Sequence, residues 1–250
     1  MEQKRTQICS YMIIPLTSGM PGEPLPYLLH TDWMITIILF LCILATSFAF
    51  SKEKKYLLQQ LKASFTSRER SSMFDEVTTS NIYYKILLVI LSCVLFGFCF
   101  YGYYANTTPN ILTLVPHEWL LGGYTLSISI FICLKSILYQ SINWIFFQKV
   151  KNSLWITSFF NIFIWLGILM LPVILVTVYF DISSQISLYM IGFLIIFAKL
   201  SLFWICFSNF FEKIHGAFHL ILYFCALEIL PDLLFWKGIE FVNNNLILNI

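Results

Sequence analysis

The chain has 250 residues, of which 59% are hydrophobic and 11% charged, with a formal net charge of +2. Soluble globular domains contain about 25% charged residues, so this composition argues against a soluble domain. The small net charge also argues against nucleic acid as a partner. The composition predicts an all-α, polytopic membrane protein whose surroundings are the lipid bilayer.

Six apolar stretches are long enough to cross a hydrocarbon layer about 30 Å thick. They form one predicted membrane domain, 32–237, between an N-terminal tail, 1–31, and a C-terminal tail, 238–250. Asp32 is a candidate N-cap for the first span. The predicted spans are 33–50, 82–104, 119–139, 154–180, 186–211 and 218–236.

The connection between the first two spans, 51–81, carries the largest basic cluster in the chain. Leu57, Leu61 and Phe65 recur every four residues within it, which predicts a short amphipathic helix on the membrane surface. A docking site for a partner protein is the alternative, and the pattern does not separate the two. The basic residues of this connection are Lys52, Lys54, Lys55, Lys62, Arg68 and Arg70.

The distribution of Lys and Arg between the connections predicts the orientation. If 51–81 is cytoplasmic, that side carries nine Lys and Arg outside the spans, and the other side carries three. Short cytoplasmic loops are enriched in Lys and Arg. The basic loop is therefore predicted to be cytoplasmic, with both termini on the non-cytoplasmic side.

Two charged residues lie near the middle of apolar stretches, Lys199 in the fifth span and Glu228 in the sixth. A short turn joins these spans, so they are expected to form an antiparallel hairpin. At 1.5 Å per residue, Lys199 lies about 18 Å from the turn and Glu228 about 15 Å. Their similar depths predict that the two side chains meet, either as an ion pair or with their charges neutralised.

Pro231 and Asp232 extend this predicted site. Pro231 has no backbone N–H, so it frees a carbonyl beside Glu228 and kinks the helix. Asp232 is one helical turn from Glu228 on the same face, so two carboxylates and Lys199 are expected to share a polar pocket. A structural clasp between helices and a proton or ion relay are both open interpretations.

The third predicted span ends with a charged and an aromatic side chain. Lys135 is about 24 Å from the start of this helix, so it is expected to snorkel to the opposite interface. Tyr139 is expected to belong to an aromatic belt at that interface.

Motifs of known catalytic machinery, such as HExxH, GxSxG or a Walker sequence, are absent from the sequence. We therefore assign no catalytic residue and expect that the protein is not an enzyme. The seven Cys form no CxxC pair, and only His215 and His219 among the four His stand four residues apart. Neither a metal site nor a cofactor is expected from these patterns.

Four stretches of the chain carry a resemblance. They are Asp32-Trp33, KYLLQQLKASF after the first span, FNIFIWLGILMLP in the fourth span and FHLILYFCALEILP in the sixth. Together they resemble an uncharacterised family of bacterial multi-pass inner-membrane proteins, domain of unknown function 4271. The resemblance covers about residues 31–237 and implies an inner-membrane protein with no assigned activity. It places Glu228 and Pro231 in the family pattern, whereas Asp232 stands where an apolar residue is expected.

Two functions fit these observations. The leading hypothesis is a non-catalytic accessory or scaffold subunit of an envelope complex for secretion or insertion, which docks on other membrane proteins through 52–81. The alternative is a proton-coupled transporter of a small solute that uses Lys199 and Glu228.

Overall fold

The computed structural model describes residues 32–65, 79–107, 115–146, 149–180, 182, 184–210 and 224–248. Within these ranges the chain forms six α-helices and no strand, which confirms the predicted all-α class. The predicted N-terminal tail, 1–31, lies outside the described residues. The helices are α1 (Trp33–Phe65), α2 (Thr79–Thr107), α3 (His117–Phe146), α4 (Lys149–Tyr179), α5 (Ser184–Phe210) and α6 (Leu230–Leu248).

Five of the helices, α1 to α5, contain segments long and apolar enough to cross a membrane, which supports the predicted polytopic membrane protein. The first half of the sixth predicted span, up to residue 223, lies outside the described residues. Helix α6 continues to Leu248, well into the predicted C-terminal tail. The Tyr124 hydroxyl donates a hydrogen bond of 3.2 Å to Asn243 Oδ1, which ties this extension of α6 to α3.

Helix α1 is longer than the first predicted span. Residues 51–65, predicted as a loop with a separate short surface helix, continue α1 without a break. The reason is local, because neither Gly nor Pro occurs between Trp33 and Phe65. At 1.5 Å per residue, the 33 residues of α1 form a rod about 50 Å long.

Helices α2 and α4 form the centre of the bundle, since each packs against the other and against α1, α3 and α5. They approach each other closely at Gly167 of α4, where an added Cβ would lie 2.9 Å from Ser92 Cα. Gly97 of α2 allows a similar close approach to α3, because a Cβ there would lie 3.2 Å from Thr125 Cα. Small residues at such crossings let helix backbones approach within lipid.

The outer surface of the bundle is apolar. Helix α5 exposes Phe193, Phe197, Leu200 and Trp204. Contiguous exposed apolar surface of this kind is unusual for a soluble monomer but is expected where lipid is the solvent. The exterior therefore agrees with the membrane assignment that the composition predicts.

Candidate functional site

Lys135 of α3 lies at the centre of a cluster of charged side chains inside the bundle. Its Nζ is 2.7 Å from Glu228 Oε2 and 2.8 Å from Asp232 Oδ1. The Lys135 residue is 3% exposed, so the ammonium group of both ion pairs is removed from the surroundings. A buried charge of this kind is tolerated only when it is paired.

Lys199 of α5 contacts the same two carboxylates. Its Nζ pairs with Glu228 Oε2, and it lies 2.5 Å from Asp232 Oδ2. Each Lys therefore pairs with both carboxylates, and each carboxylate with both Lys. We call Lys135, Lys199, Glu228 and Asp232 the ionic cluster; its formal charge is zero, and it joins α3, α5 and the start of α6.

Tyr139 adds a neutral donor to the ionic cluster. Its hydroxyl donates to Glu228 Oε1, the carboxylate oxygen that neither Lys contacts. The ring is held by Trp155 and Phe159 of α4, whose centroids lie 5.6 Å and 5.2 Å from its own. Both oxygens of Glu228 are thus satisfied within the protein, as a buried carboxylate requires.

A π-helical turn, Cys225–Ile229, carries Glu228 into the ionic cluster. The backbone N–H of Leu230 donates to the carbonyl of Cys225, five residues back, so the turn is wider than an α-helical one. Pro231 follows and can make no such bond, because it has no N–H. The wide turn gives the proline ring room that a regular α-helix would deny, and Asp232 lies in the first turn of α6.

The ionic cluster has a closed side and an open side. Glu228 is fully buried, whereas the side chains of Lys199 and Asp232 are 27% and 32% exposed. On the open side lies a cavity of about 230 Å³, which we call the aromatic cavity. Lys135, Lys199 and Asp232 line one wall, and the remaining lining residues are apolar.

Sequence reasoning brought together Lys199, Glu228 and Asp232, which do lie in contact. It was wrong about Lys135 and Tyr139, which are buried in the bundle and not at an interface. The third span was ended at residue 139, but α3 continues to Phe146. Measured from the helix ends in the structure, Lys135 lies 11 residues before Phe146 and Lys199 lies 11 residues before Phe210, so the two Lys lie at equal depth.

The structure describes part of the basic set that was predicted to dock a partner. Lys52 is exposed on α1. Lys54, Lys55 and Lys62 follow in the same helix. Arg68 and Arg70 lie outside the described residues. A role in docking therefore stays a prediction for this set.

The arrangement can do two things chemically. It can hold three helices together, because removing any one charge would leave its partners unbalanced in a medium of low dielectric. It can also exchange protons with the aromatic cavity through Asp232, the partly exposed carboxylate. Both interpretations made from the sequence therefore remain chemically possible.

Comparison with known families identifies the group to which the chain belongs. The family model described as Domain of unknown function (DUF4271) matches residues 35–239, so the chain is a member of that family, as the resemblance indicated. The matched region contains every residue of the ionic cluster. No curated protein and no solved structure matches the chain.

Proposed function

We propose that this member of the DUF4271 family is a non-catalytic accessory subunit of a bacterial inner-membrane complex, acting in secretion or insertion at the cell envelope. The observation that carries the proposal is the uninterrupted length of α1. Its membrane-crossing segment, Trp33–Lys52, has 20 residues, which is enough for the hydrocarbon layer. Residues 53–65, which we call the basic arm, extend about 20 Å farther along the same axis.

The basic arm suits docking because it is both rigid and charged. It contains Lys54, Lys55 and Lys62 and continues a helix whose position is set by the packing of α1 on α2 and α4. The excess of Lys and Arg favours a cytoplasmic position for the arm and non-cytoplasmic termini. A helix that starts in a packed bundle holds its backbone at a defined height above the membrane.

The ionic cluster supports a structural role inside such a subunit. Its two positive and two negative charges satisfy one another, and Tyr139 satisfies the remaining oxygen of Glu228. No charge is left over for a substrate in the resting arrangement. The cluster then acts as a clasp that keeps α3, α5 and α6 in register, so that the subunit offers its partners a constant shape.

Purification of the full-length protein in mild detergent tests this proposal. We expect other membrane proteins to co-purify in stoichiometric amounts, identified by mass spectrometry. Replacing Lys54, Lys55 and Lys62 together by Gln should remove them. Lys237→Gln is the matched control, since this exposed Lys lies on α6 and pairs only locally with Glu240. Recovery of the native protein alone would overturn the proposal.

A second candidate function is a proton-coupled carrier of a small solute, favoured by the aromatic cavity beside Lys199 and Asp232. Its test is proton uptake into sealed vesicles that contain the purified protein, driven by a solute gradient. Glu228→Gln should abolish uptake while the protein stays folded by circular dichroism. Vesicles that take up protons no faster than protein-free vesicles, for a panel of small neutral and anionic solutes, would eliminate the carrier.

A further inference from the structure

The aromatic cavity has the composition of a ligand site. Its volume is about 230 Å³, and apolar residues, among them six Phe and Trp236, form most of its wall. An apolar cavity of about 150 Å³ is already large enough to take up benzene. Ligand pockets combine such apolar walls with a few polar groups that fix orientation.

The polar groups of this cavity are all on one wall. Lys135, Lys199 and Asp232 reach the cavity, whereas Glu228 is fully buried and does not line it. A ligand in the cavity therefore meets two ammonium groups and one carboxylate directly. This wall favours an anionic group on the ligand, and a carboxylate has the geometry that Asp232 already presents to Lys199.

We propose that the aromatic cavity binds a small apolar molecule carrying one carboxylate, and that one proton enters with it. The ionic cluster is neutral before binding, so an added anion would leave an uncompensated charge in a medium of low dielectric. A proton on an oxygen of Asp232 restores neutrality. The ligand carboxylate then takes the place of Asp232 at the two Lys, and no covalent bond is made or broken apart from the O–H bond of that proton.

Asp232 is the group that receives the proton because of its position. The charged and titratable groups that face it are Lys135 of α3 and Lys199 of α5, with Glu228 one turn back on its own chain segment. Tyr139 faces Glu228 and not Asp232. Glu228 keeps the Tyr139 hydroxyl and both Lys as partners when Asp232 is neutralised.

A second cavity forms a route to the site. It measures about 140 Å³ and shares four lining residues with the aromatic cavity: Phe96, Phe100, Ile195 and Trp236. Its far end reaches Asn106 and Ser187, near the ends of α2 and α5. The rings of Phe100 and Trp236 lie between the two spaces with centroids 5.7 Å apart. Rotation of one of these rings would connect them, which makes this pair a gate.

The site goes beyond the docking function and lies in a different part of the molecule. It shares its cavity with the carrier function, but binding can be measured without transport. If the ligand binds but no protons are transported into the vesicles, the carrier is eliminated and the binding site remains. If the ligand does not bind, the docking proposal is unaffected.

Isothermal titration calorimetry of the full-length protein in lipid nanodiscs tests the site. The three probes share one ring size and differ in charge: benzoate, benzyl alcohol and benzylammonium. We expect benzoate to bind at least about tenfold more tightly than the other two. Titration in buffers of different ionisation enthalpy should show uptake of about one proton per benzoate. Equal binding of all three probes, no binding of benzoate, or binding without proton uptake would each overturn the proposal.

Two pairs of variants locate the binding. Ala198 lines the aromatic cavity, so Ala198→Phe should abolish benzoate binding, whereas Ile196→Phe on the exposed face of the same helix should not. Trp236→Ala should speed benzoate association by opening the gate, and Trp204→Ala, at an exposed position, should leave the rate unchanged. Unchanged binding in folded Ala198→Phe would place benzoate elsewhere and overturn the proposal, and an unchanged association rate in Trp236→Ala would overturn the gate.

Discussion

The two halves of this bundle are held together in different ways. Between α2 and α4 the helices approach until the backbone at Gly167 nearly touches Ser92, so close packing holds them together there. On the side of α3, α5 and α6, the helices are joined by the ionic cluster, and a cavity of about 230 Å³ lies beside it. Close approach leaves no space, whereas long charged side chains bridge a gap that packing does not fill.

The comparison matters because lipid does not drive helices together as water does. Association within a membrane depends on dispersion contacts, hydrogen bonds and ion pairs between helices. The contact at Gly167 requires a small residue at one position. The ionic cluster requires four charges at one depth, so its parts depend on one another much more strongly.

The largest expected effect is that of Glu228→Leu. Removing one partner of a buried ion pair typically costs about 3–5 kcal/mol, because the remaining charges are left unbalanced. Lys135 and Lys199 would then share only Asp232, and the Tyr139 hydroxyl would lose its acceptor. We expect a loss of this size in the free energy of unfolding, measured by dodecyl sulphate titration in mixed micelles.

A double variant sharpens this prediction. Lys135→Met combined with Glu228→Leu removes one charge of each sign and leaves the Lys199–Asp232 pair in place. The double variant should therefore be more stable than Glu228→Leu alone. Glu240→Gln, which loses only an exposed pair with Lys237, is the control for a charge change on the same chain segment. Simple additivity of the two single changes would contradict a coupled cluster.

Tyr139→Phe should have the next largest effect. The change deletes one hydroxyl and leaves Glu228 Oε1 without its donor, while the ring contacts with Trp155 and Phe159 are kept. Hydrogen bonds to charged groups contribute about 1.5–3 kcal/mol. The same unfolding titration measures the loss, and a variant as stable as the native protein would show that Glu228 does not need this bond.

Gly167→Ala tests the packed half of the bundle. The new Cβ would lie 2.9 Å from Ser92 Cα, and backbone cannot move aside as a side-chain tip can. Overpacking of this kind costs about 1–3 kcal/mol. Gly192→Ala is the matched control, because nothing lies within 4 Å of a Cβ added at Gly192. If both variants are equally stable, α2 and α4 do not depend on this approach.

The smallest effect is expected for Tyr124→Phe, which removes the hydrogen bond from α3 to Asn243 near the end of α6. A neutral hydrogen bond contributes about 1 kcal/mol. Hydrogen exchange should show faster opening in the last turns of α6, with the helices around the ionic cluster unchanged. Tyr189→Phe, at an exposed position of α5, should alter nothing.

The two halves also differed in how well they could be predicted. Apolar run length identified the first five spans because lipid requires it, and the shared depth of Lys199 and Glu228 was predicted from their distance to one turn. Lys135 was misassigned because its depth was counted from one helix end, under the assumption that the helix stops at the interface. The close approach at Gly167 could not be predicted, because the sequence of an apolar run is the same whether its Gly contacts a helix backbone or lipid.

The sequence pattern also did not predict that α1 continues into the basic arm. Charged residues after Phe50 marked the end of the membrane segment, and the end of the helix was placed there too. A change of solvent does not end a helix when the backbone meets no Gly, Pro or capping group. The membrane boundary and the helix boundary are separate properties, and only the first is encoded in hydropathy.

The π-helical turn at Cys225–Ile229 affects how the residues on either side of it face α5. Such a turn holds one residue more than an α-helical turn, so it sets the angular phase between the chain before it and the helix after it. Before it, Phe224 packs edge-on against Phe203 of α5, with centroids 5.3 Å apart. After it, Asp232 reaches Lys199 on that same helix. Deleting Ala226 would let this turn become α-helical, so both contacts to α5 could survive, but the Pro231 ring would then meet the carbonyl of Leu227. The extra residue therefore gives the proline room without turning Phe224 or Asp232 away from α5.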